Sequence, residues 1–419
     1  MVFGALLPIG VANTWGAVRS QYLPYCSPQV GELEVAFLQR CIGSTWLTSG
    51  PRVAELENTF ARITGVEYAV AVNSCTAALH TGLIALGIGP GDEVIIPALT
   101  FVAAAQCVLA TGATPVLCDV DRETLSISIE TISAAISPKT RAIMPMHYAG
   151  RPVGIESIMQ LARDRSIVVL EDAAHAGGML DNGRWAGTRS HGAAYSFYST
   201  KNITTGEGGM FVTNDAKVAQ RVRRLALHGI DHHVWDRTML SSPWRYDVVE
   251  MGFKYNMPDV AAAIGLAQIA RLDSMQKRRE EISARYLEGL EDIPGLRAVT
   301  RFLRDPDRHS WCMFVIEVDP DVLGLTRDQL SDALHRHKIG TSVHYIPIHS
   351  FSAYRTIARA DLSVTEAVSQ HLLSLPAYPA LSDADVEDVI SALKAVCRNG
   401  RPALGRNEYV GSYGKRSGS

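Results

Sequence analysis

The sequence has little of what marks several protein classes. Its cysteines are few and odd in number (7 in 419 residues) and none forms a CxxC pair, so neither a disulfide framework nor a thiolate zinc site is expected. Basic residues do not exceed acidic ones: Lys and Arg number 40 against 43 Asp and Glu, a formal net charge of −3. Without a basic surplus to neutralise phosphates, nucleic acid is not an expected partner. No apolar run is long enough to span a bilayer. The apolar start MVFGALLPIGVANTW is too short and lacks the positive charges of a signal peptide, so no membrane partner and a cytoplasmic location are expected. Residues 1–21 read as an N-terminal extension, and residues 398–419, rich in Gly, Ser and Arg without an apolar period, as a flexible tail.

What remains is an ordinary globular composition, with 47% apolar residues, in a chain long enough for a large α/β domain and a smaller one. Short apolar runs alternate with helical stretches from Glu67 to Val212. YAVAV (68–72), EVIIP (93–97), TPVLCDV (114–120), RAIMPMH (141–147) and IVVLED (167–172) read as buried strands of a mostly parallel sheet. AALHTGLIALG (77–87), FVAAAQCVLATG (101–112) and ESIMQLARDR (156–165) read as the helices between them. A long helical run from Met257 to about Leu290 links this domain, residues 22–290, to a small α/β domain, residues 291–397. In the latter WCMFVIEV (311–318) and TSVHY (341–345) read as strands, RDQLSDALHRH (327–337) and DADVEDVISALKAV (383–396) as helices.

In such sheets ligands collect at the carboxyl ends of the strands. Asp172 ends one strand, and the next, AAYSFYS (193–199), leads to Lys201. An amine that can form a Schiff base and a carboxylate that can keep a pyridine nitrogen protonated are what pyridoxal 5'-phosphate (PLP) chemistry requires. The same two residues also fit a helix cap and a surface lysine. The strand-to-helix turn NSCTAALH offers the N–H groups of Cys75 and Thr76 to a phosphate, and Ser196 offers a hydroxyl. Gly206, Gly208 and Gly209, after Lys201, suit a tight turn against a bound group. Phe101 follows a strand where a flat side chain can stack on a ring, although packing at a helix start would place it equally well.

This order of parts, and the segments WLTSGPRVAELE, GDEVIIPALTFVAAA, EDAAHA, SFYSTKNITTGEGG, GFKYNMPDVAAAIGLAQIARL and SVHYIPIH, resemble the DegT/DnrJ/StrS family of sugar aminotransferases from about Tyr22 to Val396. The resemblance implies the aspartate-aminotransferase-like architecture of PLP fold type I, with a mostly parallel seven-stranded sheet. It implies Lys201 as the Schiff-base lysine, Asp172 on the pyridine nitrogen, His175 on the phenolic oxygen and Phe101 stacking on the ring. Cys75, Thr76 and Ser196 would hold the phosphate. Asn256 would reach the phosphate of a partner's site in a homodimer with shared active sites, or cap the helix that begins near Pro258. Within the family, MHYAGRPVGIESI, EDAAHAGG and KNITTGEGGM are most similar to the branch that makes UDP-4-amino-4-deoxy-L-arabinose, whereas Phe101 and the YIPIH segment depart from it.

The implied reaction is a ping-pong transamination from L-glutamate, through pyridoxamine phosphate, to C4 of a nucleotide-linked keto-sugar, with Lys201 moving the proton. Amination at C3, a keto-inositol substrate with glutamine as donor, and a non-catalytic PLP-binding regulator stay open. The family's branch that removes a hydroxyl carries histidine at the lysine position, which Lys201 argues against. Thr48, Ser49 and Gly50 in WLTSGP, His344 and His349 in SVHYIPIHS, and Arg237 are candidate substrate contacts. Each also fits a plain structural role, as a turn, a satisfied histidine or a surface arginine.

Overall fold

The computed structural model describes residues 19–231, 245–303 and 305–399. Its centre is an eight-stranded sheet. Strands β1 (Tyr68–Val72), β2 (Glu93–Pro97), β3 (Thr114–Cys118), β4 (Thr140–Ile143), β5 (Val168–Asp172), β6 (Gly192–Ser196) and β7 (Gly209–Thr213) come from the first half of the chain. A second sheet contains β8 (Leu296–Ala298), β9 (Phe314–Val318) and β11 (Leu372–Leu375), and β10 (Ala358–Arg359) lies between the last two in sequence. The large sheet runs β1-β7-β6-β5-β4-β2-β3-β10, and the small one β11-β9-β8. Only β7 runs against its neighbours in the large sheet, pairing antiparallel with both β1 and β6.

The seven strands expected are therefore present, and the eighth is an addition. Ala358 and Arg359, far along the chain, pair in parallel with Val116 and Leu117 at the edge of β3. The central strands are buried almost end to end because helices cover both faces, which is why they read as unbroken apolar runs. Helices Cys75–Ala85, Ala103–Ala110 and Ile155–Arg163 follow β1, β2 and β4 within a few residues of their expected bounds.

Three expectations fail locally. The long helical run is two helices, Asp259–Ala270 and Leu272–Leu290, separated at Arg271 (φ −110°, ψ 4°). The Arg271 guanidinium is tied to the Gln29 carbonyl and the Glu34 carboxylate, both at 2.7 Å, and this anchor holds the break. TSVHY is not a strand: Ser342 alone bridges to Ser374, and the chain then turns so that His344 and Tyr345 face a cavity. Asn256 caps nothing. The residue before the first helical turn is Pro258, and the Asn256 amide donates to the Ser49 hydroxyl at 2.6 Å.

The apolar cores beside the two sheets share chain. Ile282, Tyr286 and Leu290 of the helix Leu272–Leu290 pack with Phe314, Ile316 and Leu373 of the small sheet, whereas Leu272 packs among large-sheet residues. Leu23 also joins the small core, where its N–H and C=O pair with Lys338 and Gly340, both at 2.8 Å. Conversely Ile348, Tyr354 and Leu362 pack with Val70 and Ile96. These crossings carry the segment 341–350 over the carboxyl rim of the large sheet.

Candidate active site

All parallel strands of the large sheet end on one rim, and the antiparallel β7 begins there. A cavity of about 590 Å³ opens on that rim, lined by Cys75, Thr76, Phe101, Asp172, Ser196 and Lys201. His344 and Tyr345 close it from the side of the small sheet.

The anion-binding wall is local chemistry. Ser74, with extended backbone, caps the helix Cys75–Ala85 by accepting the Ala77 N–H at 3.1 Å. That leaves the first-turn N–H groups of Cys75 and Thr76 for an anion, at the positive end of the helix dipole. The start of β7 closes on this turn so tightly that a Cβ at Gly209 would lie 2.5 Å from the Ser74 carbonyl carbon and 2.6 Å from the Cys75 nitrogen. Glycine is required there because any side chain would push the strand off the turn.

Asp172, at the end of β5, is 5% exposed and its Oδ1 accepts the Ala174 N–H at 3.0 Å. Burial pushes its carboxyl above the ordinary value, while the Ala174 N–H, the Lys201 amine and His147 pull the other way. A buried carboxylate is stabilised by a cation brought to it, as a protonated ring nitrogen would be. Lys201 follows β6 in a turn in which its N–H donates to the Tyr198 carbonyl at 2.9 Å. Among the described residues no acceptor lies within hydrogen-bonding reach of its amine, which faces the same cavity as Asp172.

His344 is half-buried with Nδ1 2.8 Å from the Ser374 hydroxyl, and desolvation beside the Lys201 amine pushes its pKa down to about 3. It is a neutral hydrogen-bonding group at the cavity wall. His175 is set back from that wall; its Nε2 lies 3.0 Å from the hydroxyl of Tyr345, which does line the cavity.

The other sequence candidates are elsewhere. Ser49 is sealed, its hydroxyl donating to the Met257 carbonyl at 2.6 Å and accepting from Asn256, and neither residue nor Thr48 lines this chain's cavity. His349 also lies away from it, with Nε2 3.2 Å from a Glu366 oxygen. Arg237 falls outside the described residues. Tyr345, Tyr25, Cys312 and Glu207 line the cavity without having been singled out. For Tyr345 the signal was its place beside His344; for Glu207, its place inside the glycine turn.

The donor set fits PLP: two helix N–H groups and a hydroxyl for the phosphate, a buried acid for the ring nitrogen, an unpaired lysine amine for the aldehyde. The model of the DegT/DnrJ/EryC1/StrS aminotransferase family matches residues 28–394. The chain belongs to that family. It is 44% identical over 384 residues, 91% of this chain and 98% of the relative, to the spore coat polysaccharide biosynthesis protein SpsC of Bacillus subtilis. Among solved structures it is similar to the putative sugar aminotransferase Spr1654 of Streptococcus pneumoniae in its pyridoxamine-phosphate form (TM-score 0.84, 29% identity, 90% of this chain and 100% of that one). Spr1654 is also solved with PLP. DesI, solved in the presence of its TDP-sugar product, matches with TM-score 0.81 and 29% identity over 92% of this chain and 96% of that one. The DegT/DnrJ/EryC1/StrS family is PLP-dependent, and its members' mixed α/β fold, PLP fold type I, is the one described above.

Proposed function

We propose that the chain moves an amino group from L-glutamate to C4 of a nucleotide-linked keto-sugar, using PLP bound in the rim cavity, as a cytoplasmic homodimer. The observation that carries the reading is the convergence of Lys201, Asp172 and the Cys75–Thr76 helix start on one cavity. The nucleotide-linked substrate is supported by the TDP-sugar product of DesI, and C4 by the shared wording of MHYAGRPVGIESI and KNITTGEGGM.

Bound PLP supplies an electron sink that lets a proton leave the carbon bearing the amine. The chain's residues do the rest. Cys75 and Thr76 N–H groups and the Ser196 hydroxyl hold the phosphate. Asp172 keeps the ring nitrogen protonated, and Phe101 covers a ring face. The Lys201 amine, without a competing acceptor, takes the proton from the donor's Cα in one half-reaction and returns one to the sugar's C4 in the other. His344, neutral near pH 7, offers a hydrogen bond to a sugar hydroxyl. Asn256, outside this chain's cavity, is left to serve a second copy.

The test is to load the protein with PLP, add glutamate, and then present UDP-, dTDP- and GDP-linked 4-keto sugars, a 3-keto nucleotide sugar and scyllo-inosose. A 4-amino nucleotide sugar identified by mass supports the reading. Amination of only a 3-keto sugar or the inosose would redirect the substrate, and no amino transfer from any donor would leave a PLP-binding regulator.

A further inference from the structure

A second, much smaller cavity lies against the turn that carries Lys201. Its volume is about 10 Å³, and Cys26, Thr200 and Lys201 line both it and the rim cavity. Gln29, Asn202 and Arg279 complete the polar part of its wall. Each of these three has a buried polar atom that no described residue meets: Gln29 Oε1, Asn202 Oδ1 and Arg279 Nε. We propose that this cavity is a site for one ordered water molecule held by those three atoms. The water ties the Lys201 turn to the helix Leu272–Leu290 and to the chain at Gln29.

Size and donor pattern select the occupant. A space of about 10 Å³ is near the least that holds one water. Arg279 is 4% exposed and Asn202 5%, so neither side chain can turn to bulk solvent for its missing partner. The Asn202 amide is fixed in orientation, because Nδ2 donates to the Gly177 carbonyl at 2.9 Å and the Ser310 carbonyl at 2.7 Å, which leaves Oδ1 an acceptor. Among the described residues no carboxylate pairs with Arg279. Its Nη1 donates to the Trp311 and Ala377 carbonyls at 3.2 and 2.7 Å, and its Nε–H is a further donor. An anion would suit the guanidinium but face two amide oxygens, and a cation would face the guanidinium. Water accepts one bond from Nε–H and donates one to each oxygen, about the three bonds usual for a buried water. Ala377 lines the rim cavity, so Arg279 already holds part of that wall, and the water carries the hold across to the residue next to Lys201.

The test is a crystal structure of the full chain at a resolution that orders solvent, repeated after a bromide soak, with amide hydrogen exchange on the same protein. The expected result is one solvent peak within about 2.7–3.2 Å of Gln29 Oε1, Asn202 Oδ1 and Arg279 Nε, without a bromide anomalous signal. Gln29→Leu deletes one acceptor and should lose the peak. It should also speed exchange of the Lys201 amide, which donates to the Tyr198 carbonyl at 2.9 Å, by about fivefold, the worth of one hydrogen bond. Gln29→Glu keeps an oxygen at the same reach and should restore both. No peak in wild type, or bromide in its place, overturns the proposal. So does a Gln29→Leu protein that keeps the peak, or that loses it while the Lys201 amide exchanges at the wild-type rate. None of these readouts involves PLP or turnover, so the proposed function stands or falls separately.

Discussion

His147 Nε2 lies 2.8 Å from a Glu171 carboxylate oxygen, and the two side chains are 0% and 1% exposed. Glu171 precedes Asp172 on β5, so by the alternation of a strand it points to the opposite face. Its other oxygen accepts the Gly187 N–H at 2.7 Å and the Ser190 hydroxyl at 2.5 Å. One carboxylate thus ties the ends of β4 and β5 to the loop before β6, beneath the rim on which Asp172 stands.

Replacing Glu171 by Leu strands the buried His147 imidazole and Gly187 N–H, leaving the half-buried Ser190 hydroxyl only the Gly192 carbonyl, and is expected to cost about 3–5 kcal/mol, whereas Glu171→Gln, which keeps an acceptor, costs about 1–2. Urea denaturation checks both. Because Asp172 is the next residue, PLP affinity falls with stability in Glu171→Leu; a variant as stable as wild type would show that the network contributes nothing.

The helix Pro51–Thr64 begins at Gly50, which has no side chain to cap it. Asp259, from another part of the chain, does so: Oδ1 accepts the Gly50 and Val53 N–H groups at 2.8 and 2.9 Å, and Oδ2 accepts that of Arg52 at 3.1 Å. Asp259→Ala is expected to lose about 2 kcal/mol, the upper range for a capping residue. Hydrogen exchange at the Val53 amide should accelerate by more than tenfold. Gly50→Ala is expected to be worse, since its Cβ would lie 2.1 Å from Trp46 Nε1.

Much of this architecture is legible in sequence because the signals are local. The strands that end at Val72, Pro97 and Asp172 are buried on both faces, so composition alone marks them. The NSCTAALH turn shows its own cap. What escapes sequence is set by distant partners. Nothing between Met257 and Leu290 opposes a single helix, and the break at Arg271 depends on Gln29 and Glu34. The plain turn TSGP becomes a sealed junction only because Met257, Asn256 and Asp259 arrive to bond it. Tyr345 enters the cavity through long-range crossings of the small core's chain, which periodicity does not encode.

Lys201→Ala is expected to remove covalent PLP attachment and to lower turnover by at least about a thousandfold, because it deletes the Schiff-base amine and the proton carrier together. Borohydride reduction followed by peptide mapping should label Lys201 in wild type and no other lysine. Asp172→Asn should keep the label yet lose most activity, since an amide cannot hold the ring nitrogen protonated. Label on another lysine would remove Lys201 from the reaction.

Acid should unfold the protein through histidines that the fold shields from water. Burial lowers His309 and His344 from 6.5 to about 3, and lowers His175 as well. A group whose folded pKa is depressed contributes stability that is present above its unfolded value and lost as pH falls toward the folded one, so the window runs from about 6.5 to 3. At pH 5, His309 and His344 each withdraw about 2 kcal/mol. For His309 burial is the main cause and the Arg151 charge adds to it; the geometry agrees, since Nδ1 accepts the Trp311 N–H at 2.8 Å and a proton there would set donor against donor. Asp172, whose carboxyl burial raises, acts in the opposite sense and favours the folded state at low pH, blunting the decline without reversing three histidines. Urea denaturation at pH 7, 6 and 5 should show falling stability. His309→Gln, which offers a carbonyl to Trp311 and has nothing to titrate, should flatten the slope by about one histidine's share. Stability independent of pH between 7 and 5 would mean that these imidazoles take up protons in the fold as readily as in the unfolded chain.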